Sequence, residues 1–213
     1  MRDELVWVLP AVAALVDWYA VARDDRRTET VAKPLVLVAL IVVALVLGAP
    51  DSTAGIWLLV ALLFGLVGDV ALLGDTLGRF QAGLSAFLVG HLAFVVCFVE
   101  LGLHPHWWSS PFGLAALAIA LVATSRVLPE THLASGAALS VPVAVYMAVI
   151  GAMLVVAWLT GEPLVAAGAT VFVASDAILS VNRFVRPVPH GRLLLMVAYH
   201  VGQALIVAGV LGA

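Results

Sequence analysis

The feature that most constrains this chain is a series of long apolar stretches that recur along its whole length. Leu35–Leu47 is an example, because none of its residues carries a polar side chain. A helix needs about 20 mostly apolar residues to cross a bilayer, whereas a membrane-spanning strand alternates apolar and polar residues over about ten. These stretches do not alternate, so the sequence predicts membrane-spanning helices.

Eight stretches are of this kind, and the predicted fold class is an all-α, polytopic membrane helical bundle. The predicted spans are 5–22, 34–48, 55–74, 83–101, 111–127, 137–159, 164–181 and 192–211. The connections between them are short, so we expect a single integral membrane domain over residues 1–213. The first span resembles a signal peptide, but Asp17 interrupts its apolar run and a second span follows, which favours a retained helix.

The composition excludes several other classes of protein. Hydrophobic residues make up 64% of the 213 residues and charged residues 11%, against about 45–50% and about 25% in a soluble domain. A net charge of −3 with ten Lys and Arg leaves no basic stripe for nucleic acid. The single cysteine, Cys97, excludes a disulfide framework and a cysteine zinc site.

The basic residues predict the orientation in the membrane. With eight spans, nine of the ten Lys and Arg residues lie on one side, and only Arg2 lies on the other. Positively charged loops face the cytoplasm. We therefore expect the basic loops to be cytoplasmic and both termini to face outward, in a cytoplasmic membrane of the bacterial type.

A weak internal repeat links the third and seventh spans. Gly68-Asp69-x-x-Leu72 and Ser175-Asp176-x-x-Leu179 are each followed by an Arg-Phe pair. Spans four apart run in the same direction, so the repeat is compatible with two parallel four-helix halves. The predicted bounds place both aspartates five residues, roughly 7–8 Å, before the cytoplasmic end of a helix. At equal depth they can share a cavity.

An ionisable side chain within a span costs several kcal/mol unless it is paired, hydrated or neutral. Asp69 and Asp176 therefore form interhelical hydrogen bonds or helix caps, or they act together as a carboxyl dyad. Two neighbouring carboxylates in a low dielectric cannot both ionise easily, so one keeps its proton while the other stays charged. Such a pair supplies a general acid beside an anion that stabilises a developing cation.

Other polar side chains are candidates to line the same cavity or to form interhelical hydrogen bonds worth about 1 kcal/mol each. They are His91, Tyr146, Ser175, Asn182, Arg183, Tyr199 and Gln203. Lys33, with Pro34, is predicted to open the second span, where it snorkels or binds a lipid phosphate. Lys33, Arg79 and Arg183 form a basic mouth that suits a substrate with an anionic head and an apolar tail. For Asp17, beside Trp18 and Tyr19, we favour a role at the membrane interface.

The pattern predicts no metal site. The six histidines form no pair at i, i+4 spacing on a helix, and no Gly-x-Ser-x-Gly elbow or phosphate-binding loop occurs. A serine nucleophile with a histidine base is not favoured, although Ser175 beside Asp176 leaves it open.

Taken in order, these motifs resemble the YhhN-like lysoplasmalogenases, over about residues 33–203. The matching elements are Lys33-Pro34, Gly68-Asp69-x-x-Leu72, Phe80-x-x-Gly83-x-x-x-Phe87-x-x-x-His91, Tyr146 with Met153, Phe172-x-x-Ser175-Asp176-x-x-Leu179 with Asn182-Arg183-Phe184, and Tyr199-x-x-x-Gln203. The chain departs from the family at Phe94 and His200, where tyrosine is expected, and this can alter the polarity of the pocket.

The resemblance implies hydrolysis of the vinyl ether bond of lysoplasmalogens, with Asp69 and Asp176 as the catalytic residues. It implies a lysophospholipid substrate drawn from membrane lipid, and no metal or organic cofactor. The substrate-binding candidates are Lys33, His91, Tyr146, Ser175, Asn182, Arg183, Tyr199 and Gln203. As a hypothesis, Asp176 is the acid and Asp69 is the anion.

Three other functions stay open at this point. Intramembrane aspartates in parallel halves also suit a small transporter, although few spans apart from the sixth, with Pro142, contain a central break. A metal-dependent lipid hydrolase similar to alkaline ceramidases and adiponectin receptors would need a histidine cluster that the sequence lacks. A lipid-binding scaffold would need no reaction at all.

Overall fold

The computed structural model describes residues 2–104, 106 and 109–213, and every regular element in these ranges is helical. The eight helices are α1 (Val8–Ala22), α2 (Arg26–Val46), α3 (Thr53–Leu72), α4 (Leu77–Leu101), α5 (Ser109–Ser135), α6 (Ala137–Leu159), α7 (Pro163–Phe184) and α8 (Gly191–Gly212). A helical turn, Arg2–Leu5, precedes α1, and a 3₁₀ turn, Ala49–Asp51, links α2 to α3. The all-α fold class is confirmed.

Within the described part of the chain, seven helices, α2 to α8, are long and apolar enough to cross a membrane. The remaining helix, α1, has 15 residues and a length of roughly 22 Å, against about 30 Å for the hydrocarbon core. In lipid, a backbone must satisfy its own hydrogen bonds, which explains why the apolar stretches are helical. The chain is an integral, multi-pass membrane protein.

The second helix begins eight residues before its predicted start, because Asp25 caps it. The Oδ1 atom of Asp25 accepts hydrogen bonds from the backbone N–H groups of Arg27 and Thr28 at 3.2 and 3.3 Å. The Thr28 hydroxyl donates to Oδ2 at 2.6 Å, and this bond is the largest cause that lowers the pKa of Asp25 below its ordinary value. Pro34 is therefore inside α2 and not in its first turn, which corrects the prediction.

The helices group into two compact units, one of Met1–Leu101 with Val210–Ala213, and one of Gly102–Gly209. The division falls between α4 and α5, where the internal repeat also divides the chain. The single domain over residues 1–213 stays a prediction.

In the first unit, consecutive helices pack on one another, from α1 to α4. Glycines bring α3 and α4 into close contact: a Cβ atom added to Gly68 would lie 2.6 Å from the Phe87 ring. One added to Gly90 would lie 3.2 Å from the Ala61 carbonyl. Small residues of this kind allow membrane helices to approach closely, and here they set the antiparallel register of α3 and α4.

In the second unit, α5 packs on α6 and α7, and α6 packs on α7. Helices α7 and α8 touch backbone to backbone: a Cβ atom on Gly168 would lie 2.8 Å from the Gly202 carbonyl oxygen. A Cβ atom on Gly202 would lie 2.9 Å from the backbone nitrogen of Phe172. This contact fixes which side chains of α7 and α8 face each other.

Candidate functional site

Asp69 forms a buried ion pair with Lys33 within the first unit. The Nζ atom of Lys33, on α2, lies 3.3 Å from Oδ1 of Asp69, on α3. Only 5% of Lys33 and 1% of Asp69 are exposed. The prediction that Lys33 snorkels to the membrane surface is therefore wrong. Because α2 starts early, Lys33 lies two turns inside the helix, on the face that packs against α3.

The sequence interpretation missed Glu29, which lies one turn before Lys33 on α2. Glu29 is buried, and its Oε2 atom lies 3.9 Å from the guanidinium of exposed Arg26. The predicted bounds placed Glu29 in a loop, where a carboxylate needs no explanation. Two features of the sequence could have placed Glu29 on the helix: its i, i+4 spacing to Lys33, and Asp25 as a residue type that caps helices.

Asp17 is fully buried, so its side chain does not face lipid as part of a membrane belt, and its predicted depth near the membrane interface stays a prediction. It shares the inner face of α1 with Ala13, Ala14 and Ala20. Asp17 lies five residues before the end of α1, and the short turn that follows brings α2 back alongside it. By this count of residues, Asp17 is at the level of the sixth residue of α2. That residue lies two positions before Lys33 in the sequence.

His91 is buried on α4, and its Nδ1 atom contacts the backbone carbonyl of Phe87. In the neutral ring this contact places the proton on Nδ1. The register of α3 and α4 puts His91 near the level of Ala61, eight residues from Asp69 and roughly 12 Å farther along α3. The predicted polar residues Asp69 and His91 therefore lie at different depths of the first unit.

Arg79 binds the end of α3. Its Nε and Nη2 atoms donate to the carbonyls of Ala71 and Val70 at 3.0 and 2.7 Å. A cation at a helix C-terminus is favourable, because it satisfies carbonyls and opposes the helix dipole. The guanidinium that we predicted for the basic mouth thus holds the helix end immediately after Asp69.

Asp176 accepts a hydrogen bond from Tyr146 within the second unit. The Tyr146 hydroxyl, on α6, donates to Oδ2 of Asp176, on α7, at 2.7 Å. Tyr146 is buried and Asp176 is partly buried. The two candidates, 30 residues apart in the sequence, are brought into direct contact by the packing of α6 on α7.

Three other candidates on α7 have different surroundings. The Ser175 hydroxyl donates to the Phe172 carbonyl of its own helix at 2.7 Å. Its proton is therefore not directed toward a base, as it would be in a serine nucleophile. The Oδ1 atom of Asn182 accepts a hydrogen bond from the backbone N–H of Val188 at 2.7 Å and so holds the loop after α7. Arg183 is exposed.

On α8, the Tyr199 ring lies 5.3 Å from the Phe172 ring, measured between centroids. Phe172 and Asp176 are four residues apart and share a face of α7. Tyr199 therefore lies about one turn from Asp176 across the α7–α8 contact. Gln203, one turn after Tyr199, is 1% exposed. Within the described ranges, neither its Nε2 nor its Oε1 atom has a hydrogen-bond partner.

The prediction that both aspartates lie five residues before a helix end is wrong. Asp69 is three residues from the end of α3 and Asp176 is eight residues from the end of α7. These spacings correspond to roughly 4.5 Å and 12 Å. The cavity shared by the two aspartates stays a prediction. Among the described residues, no group of three or more His, Cys, Asp or Glu side chains is placed to hold a metal ion.

Helices that span a membrane, with carboxylates held by polar groups from neighbouring helices, define a multi-pass membrane protein with intramembrane acid sites. The chain belongs to the YhhN family, whose family model matches residues 28–210. It is 31% identical over 170 residues to the lysoplasmalogenase TMEM86A of Homo sapiens, across 75% of this chain and 66% of that protein.

Two other relatives are also named lysoplasmalogenases. The chain is 33% identical over 148 residues to the lysoplasmalogenase TMEM86B of Homo sapiens, across 68% of this chain and 59% of that protein. It is 30% identical over 176 residues to a lysoplasmalogenase of Mycobacterium tuberculosis, across 80% of this chain and 66% of that protein. The chain thus spans less than two thirds of the length of these relatives. No solved structure matches it.

Proposed function

We propose that this protein is a lysoplasmalogenase. It hydrolyses the vinyl ether bond of lysoplasmenylethanolamine or lysoplasmenylcholine, and it releases a fatty aldehyde and a glycerophospho-alcohol. The family and the names of the relatives support the reaction. The observation that carries the mechanism is the contrast between the two aspartates: Asp69 is paired with an ammonium group, and Asp176 with a neutral phenol.

The chemistry of a vinyl ether explains why this contrast is useful. Vinyl ethers resist bases and nucleophiles but are cleaved by acid. Protonation of the β-carbon is the slow step, and it leaves an oxocarbenium ion. Water adds to the ion, and the resulting hemiacetal collapses to aldehyde and alcohol. The enzyme therefore needs a proton donor, an anion that stabilises the cation, and a water molecule in position.

In this proposal, Asp176 delivers the proton and Asp69 supplies the negative charge. Asp176 gives its proton to the β-carbon, and the carboxylate that remains takes a proton from water as the water adds. The Tyr146 hydroxyl orients the Asp176 carboxyl group. The Lys33 ammonium keeps Asp69 in its ionised, buried form. A positioned general acid contributes about 10²–10⁴-fold, and electrostatic stabilisation of the cation contributes several kcal/mol more.

The substrate is a lysophospholipid taken from membrane lipid. The basic loops face the cytoplasm in this proposal, and both termini face outward. Arg183, which is exposed, contacts an anionic headgroup in this proposal. The other substrate-binding candidates are Lys33, His91, Tyr146, Ser175, Asn182, Tyr199 and Gln203. The mechanism requires no metal or organic cofactor.

The deciding experiment incubates the purified, full-length protein with lysoplasmenylethanolamine and with its ester and alkyl ether analogues. We expect aldehyde from the vinyl ether substrate alone, and activity that survives chelators. A transporter or a lipid-binding scaffold would leave all three lipids intact. Loss of activity with chelators would favour a metal-dependent hydrolase.

Variants test the assignment of the two carboxylates. Asp69→Asn and Asp176→Asn should each abolish aldehyde release, because one removes the anion and the other the acid. Asp75→Asn is the matched control, since Asp75 lies exposed between α3 and α4. Turnover near that of the wild type in either site variant would remove that aspartate from the mechanism.

A further inference from the structure

Gln203, on α8, carries a buried side-chain amide without a hydrogen-bond partner in the described part of the chain. It is 1% exposed, and among the residues that the structure describes neither its Nε2 nor its Oε1 atom makes a hydrogen bond. Buried polar groups are almost always paired, since leaving one unpaired destabilises the folded state. A leucine or methionine would fill the same position at no such cost. An amide here therefore needs a reason other than stability.

The place of Gln203 in the second unit points to that reason. It lies one turn from Tyr199 on α8, and the Tyr199 ring packs against Phe172, one turn from Asp176 on α7. Side chains on a helix lean toward its N-terminus, so the amide covers the turn that contains Tyr199. The contact between Gly168 and Gly202 holds α7 and α8 together at this level. The unpaired amide is thus directed toward the level of Asp176.

The Gln203 amide has an N–H donor and a carbonyl acceptor, and both lack a partner among the described residues. A hydroxyl group is complementary to it, because a hydroxyl can both donate and accept a hydrogen bond. We infer that Gln203 binds a hydroxyl group of the reacting species, accepting a hydrogen bond at Oε1 and donating one from Nε2. This inference rests on the proposed function.

Two reactants of the proposed reaction have such a group. A lysoplasmalogen has a free sn-2 hydroxyl, five bonds from the carbon that is protonated. The hydrolytic water is the other source. In that case Gln203 holds the water while its oxygen bonds to the oxocarbenium carbon and its proton passes to the Asp176 carboxylate. Gln203 itself neither gains nor loses a proton in either case.

The test compares Gln203→Met with Gln81→Met. Methionine matches glutamine in length and has no amide, and Gln81 is the other glutamine of the chain, exposed on α4. Each variant is assayed with lysoplasmenylethanolamine and with an analogue that lacks the sn-2 hydroxyl, and its Tm is measured without substrate. Each neutral hydrogen bond contributes a factor of about 2 to 10. We expect Gln203→Met to lower kcat/KM about 10-fold or more and to keep or raise the Tm, while Gln81→Met changes neither.

The analogue separates the two sources of the hydroxyl. If Gln203 binds the sn-2 hydroxyl, the wild type loses activity on the analogue and Gln203→Met loses no more. If it binds the water, Gln203→Met loses the same factor on both substrates. The inference is overturned if kcat/KM stays within about twofold of the wild type, or if the Tm of Gln203→Met falls below that of Gln81→Met. Absence of aldehyde release by the wild type would instead overturn the proposed function.

Discussion

The ion pair between Lys33 and Asp69 allows a double-mutant cycle with a clear expectation. Lys33 is the only lysine of the chain, and its side chain is 7% exposed, against 1% for Asp69. Lys33→Met leaves a carboxylate buried without its ammonium partner, and Asp69→Asn leaves the ammonium without its carboxylate. The double variant removes both charges and leaves neither one uncompensated.

The burial of the pair sets the magnitude. Removal of one partner of a buried ion pair costs about 3–5 kcal/mol of unfolding free energy, because the remaining charge keeps its desolvation penalty. Neither side chain is exposed enough for solvent to screen this effect strongly. We therefore expect each single variant to lose about 3–5 kcal/mol and the double variant to lose no more than the worse single variant. The coupling energy is then about 3 kcal/mol or more.

The assay is reversible unfolding in detergent, with aldehyde release measured in parallel. Lys33→Met should lose activity as Asp69→Asn does, because the Asp69 carboxylate loses the ammonium group that holds it in position. Arg126→Met, which removes an exposed cation on α5, is the control and should change stability by less than about 0.5 kcal/mol. Losses in the two single variants that simply add in the double variant would refute the buried ion pair.

Three further predictions concern other parts of the molecule. Tyr146→Phe removes the hydroxyl that donates to Asp176, so aldehyde release should fall by about 10-fold or more and its pH profile should shift, and an unchanged profile would count against this contact. Gly68→Ala should destabilise by about 1–3 kcal/mol in thermal unfolding, because its Cβ would meet a phenylalanine ring at 2.6 Å, whereas Gly151→Ala, with open space around it, should not. Asp25 has a lowered pKa in the folded state, so its contribution to stability is present above the ordinary carboxyl value of about 3.9 and is lost as pH falls through the folded pKa. Unfolding of the wild type and Asp25→Ala should therefore differ at neutral pH and converge in acid.

The internal motifs located the polar groups better than the helix bounds did. The pattern around Asp69 and Asp176 placed each aspartate inside an apolar helix, and the structure confirms this. The start of α2 was misplaced, because its first turn is polar and reads as a loop. That single error hid Glu29 and assigned Lys33 to the membrane surface.

The amino-acid sequence by itself determined that this protein is helical and lies in a membrane. Apolar runs of this length cannot stay in water, and a backbone in lipid must form its hydrogen bonds within the helix. Only the tertiary structure decided that Lys33 pairs with Asp69, that Tyr146 donates to Asp176, and that Asp17 faces inward. These contacts depend on the rotation and register of neighbouring helices. Close contacts at glycines such as Gly68 and Gly168 set that register, and a linear pattern of polar and apolar residues does not specify it.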